Sequence, residues 1–357
     1  MNGPHKTGDF VHHNRYEIIN YIGEGGMQFV YAAKDHVLNR KVALKTPKND
    51  SAKKRFQRSA IVAARVNHPN VAKTLDYLED GQRQYLVEEL IEGTDLDKAL
   101  LKNTKYLDPY LAARIFHYLA KGLAASHHVG VIHRDLKPAN VMVTGKFQLD
   151  SIQITDFGIA KMADEEIAEA VEGGGESISA SSTVVGALPY MAPEAIETPR
   201  EVGKPADVWS IGAMIYELLT GEKPYGTGLK AVTKIMEAKP PEFPKFMTSN
   251  PQFATLSNQL IQIVLQCLQK EPVLRPSADE LVEKCGSLCY PVVHRYFGTV
   301  RKLPNKYWGF IDVDGEDIFF HLDYCVYGNR PAIGDKVMLS KFQGGGAWRA
   351  LPVVKLN

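Results

Sequence analysis

Residues 133–143 read HRDLKPANVMV, and DFG follows at 156–158. Together these two stretches hold two carboxylates, a carboxamide and an ammonium group: Asp135, Asp156, Asn140 and Lys137. Carboxylate and amide oxygens are the hard ligands that a small divalent cation takes, and a nearby lysine neutralises anionic charge. The flanks differ in texture. Upstream, runs at 16–22, 28–34 and 41–46 read as strands, 51–66 takes helical spacing, and strands resume near 71–78 and 83–88. From Asp95 onward the pattern is mainly helical, with apolar residues three and four apart in 109–129 and 205–220, then in 255–269 and 277–288. EGGGESISASSTVVG (172–186) reads as a flexible segment, rich in Gly and Ser. After Leu288 short strands with Gly and Pro punctuation take over. The expected organisation is an N-terminal extension (1–15), a first domain (16–288), a short linker (289–295) and a small second domain (296–357).

A chain of 357 residues, 45% hydrophobic and 23% charged, suits a two-domain soluble globular protein. The net charge of +1 gives no global argument for nucleic acid, so any basic footprint is local. Cys267, Cys285, Cys289 and Cys325 form no CxxC pair, which argues against zinc; Cys285 and Cys289 are close enough to leave a disulfide open. MNGPHKTGDF lacks the apolar core of a signal peptide, and no apolar run approaches the roughly 18 residues of a membrane span. The expectation is a cytoplasmic chain with no membrane partner.

Further landmarks stand in order around the opening stretch: GEGGMQFV (23–30), VALK (42–45), APE (192–194), DVWSIG (207–212) and Arg275 in EPVLRPS. Together with HRDLKPANVMV and DFG, over about residues 16–288, this set resembles the eukaryotic-type protein kinases, with a GGM most like their bacterial members. The resemblance implies an α+β, bilobal protein-kinase fold with a β-rich N-lobe and a helical C-lobe. It also implies ATP and Mg²⁺ as cofactors, and transfer of the γ-phosphate to a Ser or Thr hydroxyl of a protein substrate. Gly23 and Gly25 would let the backbone close over the phosphates, with Gln28 at the third glycine position as a departure that stiffens the loop. Lys45 would pair the α- and β-phosphates, Asp156 and Asn140 would hold Mg²⁺, Asp135 would accept the hydroxyl proton and Lys137 would neutralise the moving phosphate. Val30, Ala43 and Met142 are the expected apolar walls for adenine, and Glu89 and Ile91 its backbone partners. Asp207 resembles the brace of the catalytic loop, and Glu194 with Arg275 the ion pair that anchors the activation segment.

Several positions depart from the family. A glutamate on the helix after VALK normally holds the lysine, yet that position is Ser59, and no acid lies between Ser51 and Val66. Either catalysis is lost, making a pseudokinase scaffold, or another carboxylate serves Lys45. Glu88, at the gatekeeper position in YLVEELIEG (85–93), is the candidate, because a lone buried carboxylate there would be costly without a partner. Ala187 replaces a threonine usual in Ser/Thr-specific members. A small-molecule kinase is a further rival, disfavoured by the APE, DVWSIG and Arg275 set. Arg134 beside Asp135 suggests phosphorylation of the activation segment, with Ser177, Ser179, Ser181, Ser182 and Thr183 as candidate acceptors.

FGTVRKLPNKYWGFIDVDGEDIFFHLD (297–323) resembles a cold-shock domain, a small all-β, OB-type barrel. The resemblance implies single-stranded RNA or DNA as a partner. Trp308, Phe310, Phe319 and His321 would alternate onto one stacking face, with Lys306, Arg301 and Lys302 near the phosphates. Lys302 and Leu303 stand where the family has aromatics, so part of the stack is missing.

Overall fold

The computed structural model describes residues 3–24, 28–48, 50–157 and 186–357. Gly25, the candidate acceptors of 177–183 and the side chains of Ser59 and Cys325 lie outside the described residues.

The N-lobe is a six-stranded antiparallel sheet: β1 (Phe10–Val11), β2 (Tyr16–Glu24), β3 (Gln28–Asp35), β4 (Arg40–Pro47), β5 (Thr74–Asp80) and β6 (Arg83–Glu89), ordered β1-β2-β3-β4-β6-β5. Alternation assigns its two faces. Tyr31, Ala33, Val42, Leu44, Tyr85 and Val87 pack into one core, while Val30, Ala32, Ala43 and Lys45 line a cleft on the other side. Helix α1 (Asp50–Ala63) lies on the cleft side through Phe56 and Ala60, which pack on Leu86. The stretch expected as an N-terminal extension is part of this lobe. Val11 pairs with Tyr16, and His5 caps the tyrosines of the opposite face, its Nε2 being 2.9 Å from the Tyr85 hydroxyl. Two aromatic hydroxyls on an otherwise uncovered sheet face explain why the segment folds back there.

The C-lobe centres on α2 (Pro109–His128), α3 (Lys204–Thr220), α4 (Pro251–Cys267) and α5 (Ala278–Gly286), with shorter helices at Pro193–Glu197, Leu229–Glu237 and Phe246–Ser249. Asp108 caps α2 by accepting from the Tyr110 and Leu111 amides, and Pro109 occupies the first turn, where its missing N–H costs nothing. A small sheet of β7 (Thr94–Asp95), β8 (Val141–Thr144) and β9 (Ser151–Ile154) carries the HRDLKPANVMV and DFG stretches between the lobes. Cys285 is buried and Cys289 exposed, both as free thiols, so the disulfide left open by their spacing is not formed. No helix among the described residues is long and apolar enough to cross a membrane.

Residues 296–355 close into a five-stranded barrel. Strands β10 (Tyr296–Lys302), β11 (Trp308–Val313) and β12 (Glu316–His321) form an antiparallel meander. After the two-residue β13 (Val326–Tyr327) come β14 (Lys336–Gln343) and β15 (Trp348–Lys355); β12 pairs parallel with β15, β15 antiparallel with β14, and β14 antiparallel with β10. Val300, Ile311, Ile318, Phe320, Val337, Leu339 and Val353 fill the interior.

The barrel shares a core with the C-lobe. Tyr327 is 1% exposed and sits among Tyr106, Phe246 and Phe253 with ring centroids 5.3–5.7 Å away; Met338 and Val354 join the same cluster. Gly328 follows at φ +81°, where any side chain would run into the Tyr106 ring. Arg295 is buried and donates to Asp108 at 3.0 Å, and its backbone exchanges hydrogen bonds with the Gln148 carboxamide at 2.6 and 3.0 Å. The expected linker is therefore pinned at its end, because a buried guanidinium needs the carboxylate waiting at the start of α2. Tyr327→Ala is expected to cost about 3–5 kcal/mol, the usual range for truncating a large buried aromatic. Denaturant unfolding should then show barrel and C-lobe destabilised together, whereas an unchanged midpoint would contradict a shared core.

Candidate active site

The catalytic loop is held from below. Asp207, in the first turn of α3 and fully buried, accepts from the His133 amide at 2.8 Å, the Arg134 amide at 2.7 Å and His127 Nε2 at 2.9 Å. These bonds hold Arg134 at φ +67°, a conformation few side chains adopt unaided. Beyond that bend, Lys137 Nζ lies 2.8 Å from Asp135 Oδ2, and Asn140 Nδ2 donates to the Asp135 carbonyl at 2.7 Å and to its carboxylate at 3.1 Å. With the Asn140 nitrogen turned to Asp135, its carbonyl oxygen is the atom left for a cation. The Thr155 amide donates to the backbone carbonyl of Asn140 at 2.9 Å, leaving its side-chain Oδ1 untouched, and His133 Nε2 is 2.8 Å from the Thr155 carbonyl. Phe157 is buried against the His133 ring at 4.6 Å, and Asp156, at φ +63°, enters the cleft.

Sheet register brings the lysine to its carboxylate. Ala43 lies opposite Glu88 and Lys45 opposite Leu86, so Lys45 and Glu88 are diagonal neighbours on the cleft face. Lys45 Nζ forms an ion pair with Glu88 Oε2, and a second at 2.7 Å with Asp156 Oδ1. Burial works against the Lys45 charge, but Asp156 and Glu88 outweigh it and raise its pKa. At Glu88 burial wins over the lysine, and Asp156 adds to it, so that pKa is raised. At Asp156 burial is overcome by Lys45, with help from Gln28, and the pKa is lowered. The Gln28 contact is a 3.0 Å hydrogen bond from Nε2 to Asp156 Oδ1. Reading Gln28 as a stiffener of the loop missed this; the available signal was its period-two alternation with Val30 and Ala32, which puts it on the cleft face.

These groups meet in one cleft of about 740 Å³, in the size range of small-molecule sites. Gly23, Val30, Ala43, Lys45, Glu88, Glu89 and Ile91 line its N-lobe side and hinge, and Asp135, Lys137, Asn140, Met142 and Asp156 its floor. The Glu89 carboxylate accepts from Gln153 at 3.2 Å. Asp95 and Lys98, not singled out by the sequence reading, pair at 2.7 Å at the edge of the cleft. The donor set fits a magnesium nucleotide: hard oxygens at Asp156 and Asn140, ammonium groups at Lys45 and Lys137, and apolar walls at Val30, Ala43 and Met142. Away from the cleft, Arg275 grips Glu194 through both oxygens at 2.5 and 2.8 Å, and also donates to the carbonyls of Pro205, Gln269 and Lys270. Ala187 is buried.

Residues 16–285 match the protein kinase domain model. The chain belongs to the protein kinase family. It is 34% identical over 278 residues to a probable serine/threonine-protein kinase of Clostridium perfringens, covering 75% of this chain and 37% of that one. Against the serine/threonine-protein kinase PrkC of Bacillus subtilis it is 30% identical over 276 residues, covering 75% and 39%. Against PkaA of Streptomyces coelicolor it is 36% identical over 229 residues, covering 64% and 38%. The chain thus spans less than half the length of each of these relatives.

The barrel of this protein-kinase family member carries an aromatic face. Trp308, Phe310 and Phe319 are half-buried, with ring centroids 5.6–6.1 Å apart. His321 lies opposite Trp308 in the ladder, and its ring meets Tyr324 at 4.6 Å. Lys306 sits over Tyr307, Arg349 over Phe319 and Lys341 over Trp348, at 5.1–6.0 Å. Tyr324, Trp348 and Arg349 were not anticipated, because they lie outside the two short aromatic motifs. Leu303 packs onto the barrel core and Lys302 is exposed, so neither supplies a platform.

Proposed function

We propose that this chain is a protein serine/threonine kinase in which Glu88 takes the place of the missing helix glutamate. The observation that carries the reading is the convergence of Lys45, Glu88, Asp135, Asn140 and Asp156 on one cleft, each already tied to a partner. Bound Mg-ATP supplies the phosphoryl group and much of the charge neutralisation. Asp135 accepts the proton of the substrate hydroxyl, with Asn140 and Lys137 fixing its carboxylate. Lys137 also faces the anionic charge that develops during transfer. Lys45 holds the nucleotide phosphates, its position set by Glu88 behind it. Asn140 and Asp156 supply the cation's protein oxygens. A pseudokinase would have no need of this intact set, and the Glu194–Arg275 anchor belongs to a platform for protein rather than small-molecule substrates. The test is transfer of labelled phosphate to the chain itself or to a generic acceptor protein with Mg-ATP. Absence of transfer by wild type, with nucleotide binding intact, would favour the scaffold.

For the barrel, we infer an OB-type module that binds single-stranded nucleic acid through Trp308, Phe310, Phe319 and His321, with Lys306 and Arg349 beside them. The strand pairing supports this: a three-stranded meander closed by a parallel β12–β15 contact, as in five-stranded OB barrels. Trp308→Ala with Phe319→Ala is expected to weaken binding of a single-stranded oligonucleotide by about 30-fold or more, at a minimum of roughly 1 kcal/mol per lost stack. Affinity should also fall as salt rises. Fluorescence anisotropy measures both, and no binding at low salt would end this reading.

A further inference from the structure

The glycine-loop position that departs from its family is also the one that reaches the cation site. Gln28 opens β3 opposite Pro47 and is 6% exposed, although it lines the cleft. Asp156 is an acceptor at this contact, so the group that Gln28 turns to it must be the –NH₂. Two donors, Gln28 Nε2 at 3.0 Å and Lys45 Nζ at 2.7 Å, therefore share the single oxygen Oδ1, leaving Asp156 Oδ2 with no hydrogen bond from either. The other end of the carboxamide is unspent: Gln28 Oε1 is buried and has no hydrogen-bond partner among the described residues. Leaving a carbonyl oxygen desolvated and unpaired is costly, and the cost is recovered if a ligand donates to it.

We propose that Gln28 is a positioning residue of the cation site, orienting Asp156 through its nitrogen and accepting a hydrogen bond from a water of the bound Mg²⁺ through its oxygen. Mg²⁺ dehydrates reluctantly and keeps several waters, so an acceptor beside its carboxylate ligand has a donor to meet. Glycine at this position could do neither job. A carboxylate could take the water but would repel Asp156, and only an uncharged side chain with a donor and an acceptor serves both. Groups of this kind, which hold a ligand rather than the metal, typically change metal affinity by 10–100-fold.

The inference rests on the kinase reading, and the experiment separates the two. Wild type, Gln28→Gly and Gln28→Leu are titrated with ADP by calorimetry, first in EDTA and then over a series of Mg²⁺ and Mn²⁺ concentrations. Leucine keeps the buried volume and the strand, while glycine is the family's own residue, so a folding failure of one leaves the other. Circular dichroism and a thermal melt check independently that each variant is folded. The expected result is metal-free affinity within about twofold of wild type in both, with roughly tenfold more Mg²⁺ needed for half-maximal tightening of ADP. An unchanged Mg²⁺ requirement in either folded variant overturns the assignment while leaving the kinase intact. Failure of wild type to bind ADP under any condition overturns both. A loss of metal-free affinity equal to the loss with metal assigns Gln28 to the nucleotide pocket and likewise overturns the cation role.

Discussion

Asp135→Asn is expected to lower the rate of phosphate transfer by about 10²–10⁴-fold while leaving ATP affinity within about twofold. The change is nearly isosteric, and one carbonyl oxygen remains to receive Lys137 or Asn140, so the loop held by Asp207 keeps its shape. What disappears is the carboxylate proposed to take the hydroxyl proton. Asp156→Ala should abolish metal-dependent turnover by a different route, removing the proposed cation ligand and one of the two carboxylates on Lys45. Single-turnover transfer together with calorimetric ADP binding separates the two. Comparable turnover in Asp135→Asn and wild type would remove Asp135 from the mechanism.

Glu88→Met and Lys45→Met should each cost about 10²-fold in turnover, the scale of misplacing a group that positions the reactants. Their stabilities should diverge. The pKa of Glu88 is raised in the folded protein, chiefly by burial, so its protonated form is favoured by folding. Its stabilising contribution is present below the ordinary glutamate value and is lost as pH rises through the raised value. Once pH exceeds that raised value wild type has lost it, and Glu88→Met, which leaves Lys45 paired with Asp156, should be at least as stable as wild type. Lys45→Met leaves Glu88 and Asp156 facing each other without their cation and should cost about 3–5 kcal/mol. Adding Ser59→Glu to Glu88→Met should return part of the activity, since position 59 lies one helical turn after Phe56, which packs on Leu86. Full activity in Glu88→Met, or equal stability in the two single variants above that pH, would defeat the relocation.

Alternation and spacing made most of the kinase lobes legible. The strands at 16–22, 28–34 and 41–46 lengthen by only one or two residues because their faces differ in polarity throughout. The start of α4 was less visible: it begins at Pro251 rather than 255, set by the Asn250 cap, whose side chain accepts from the Gln252 amide at 3.0 Å. The two-residue β1 has no periodicity to read. Within the cleft, an absent acid on α1 and a surplus acid on β6 pointed to each other through their common lysine. The Gln28–Asp156 bond had no such bookkeeping, since neither residue lacks a partner until the lobes are brought together. Docking of the barrel was hidden for a similar reason. Tyr327 sits in a two-residue strand, and nothing local tells that its ring completes a cluster from the other domain.

That completion has a consequence for synthesis. A ribosome delivers the whole catalytic cleft before it delivers residue 327, so the newborn C-lobe carries an open socket walled by Tyr106, Phe246 and Phe253, with Asp108 at its side. Domains fold as they emerge, and uncovered aromatic surface on such a partial product is what chaperones and proteases engage. The barrel strands arrive after the C-lobe and close the socket with a segment of their own. Chains stopped before residue 327 by truncation or damaged message would keep that socket open, exposing to removal those copies that carry a nucleotide cleft but no closed barrel.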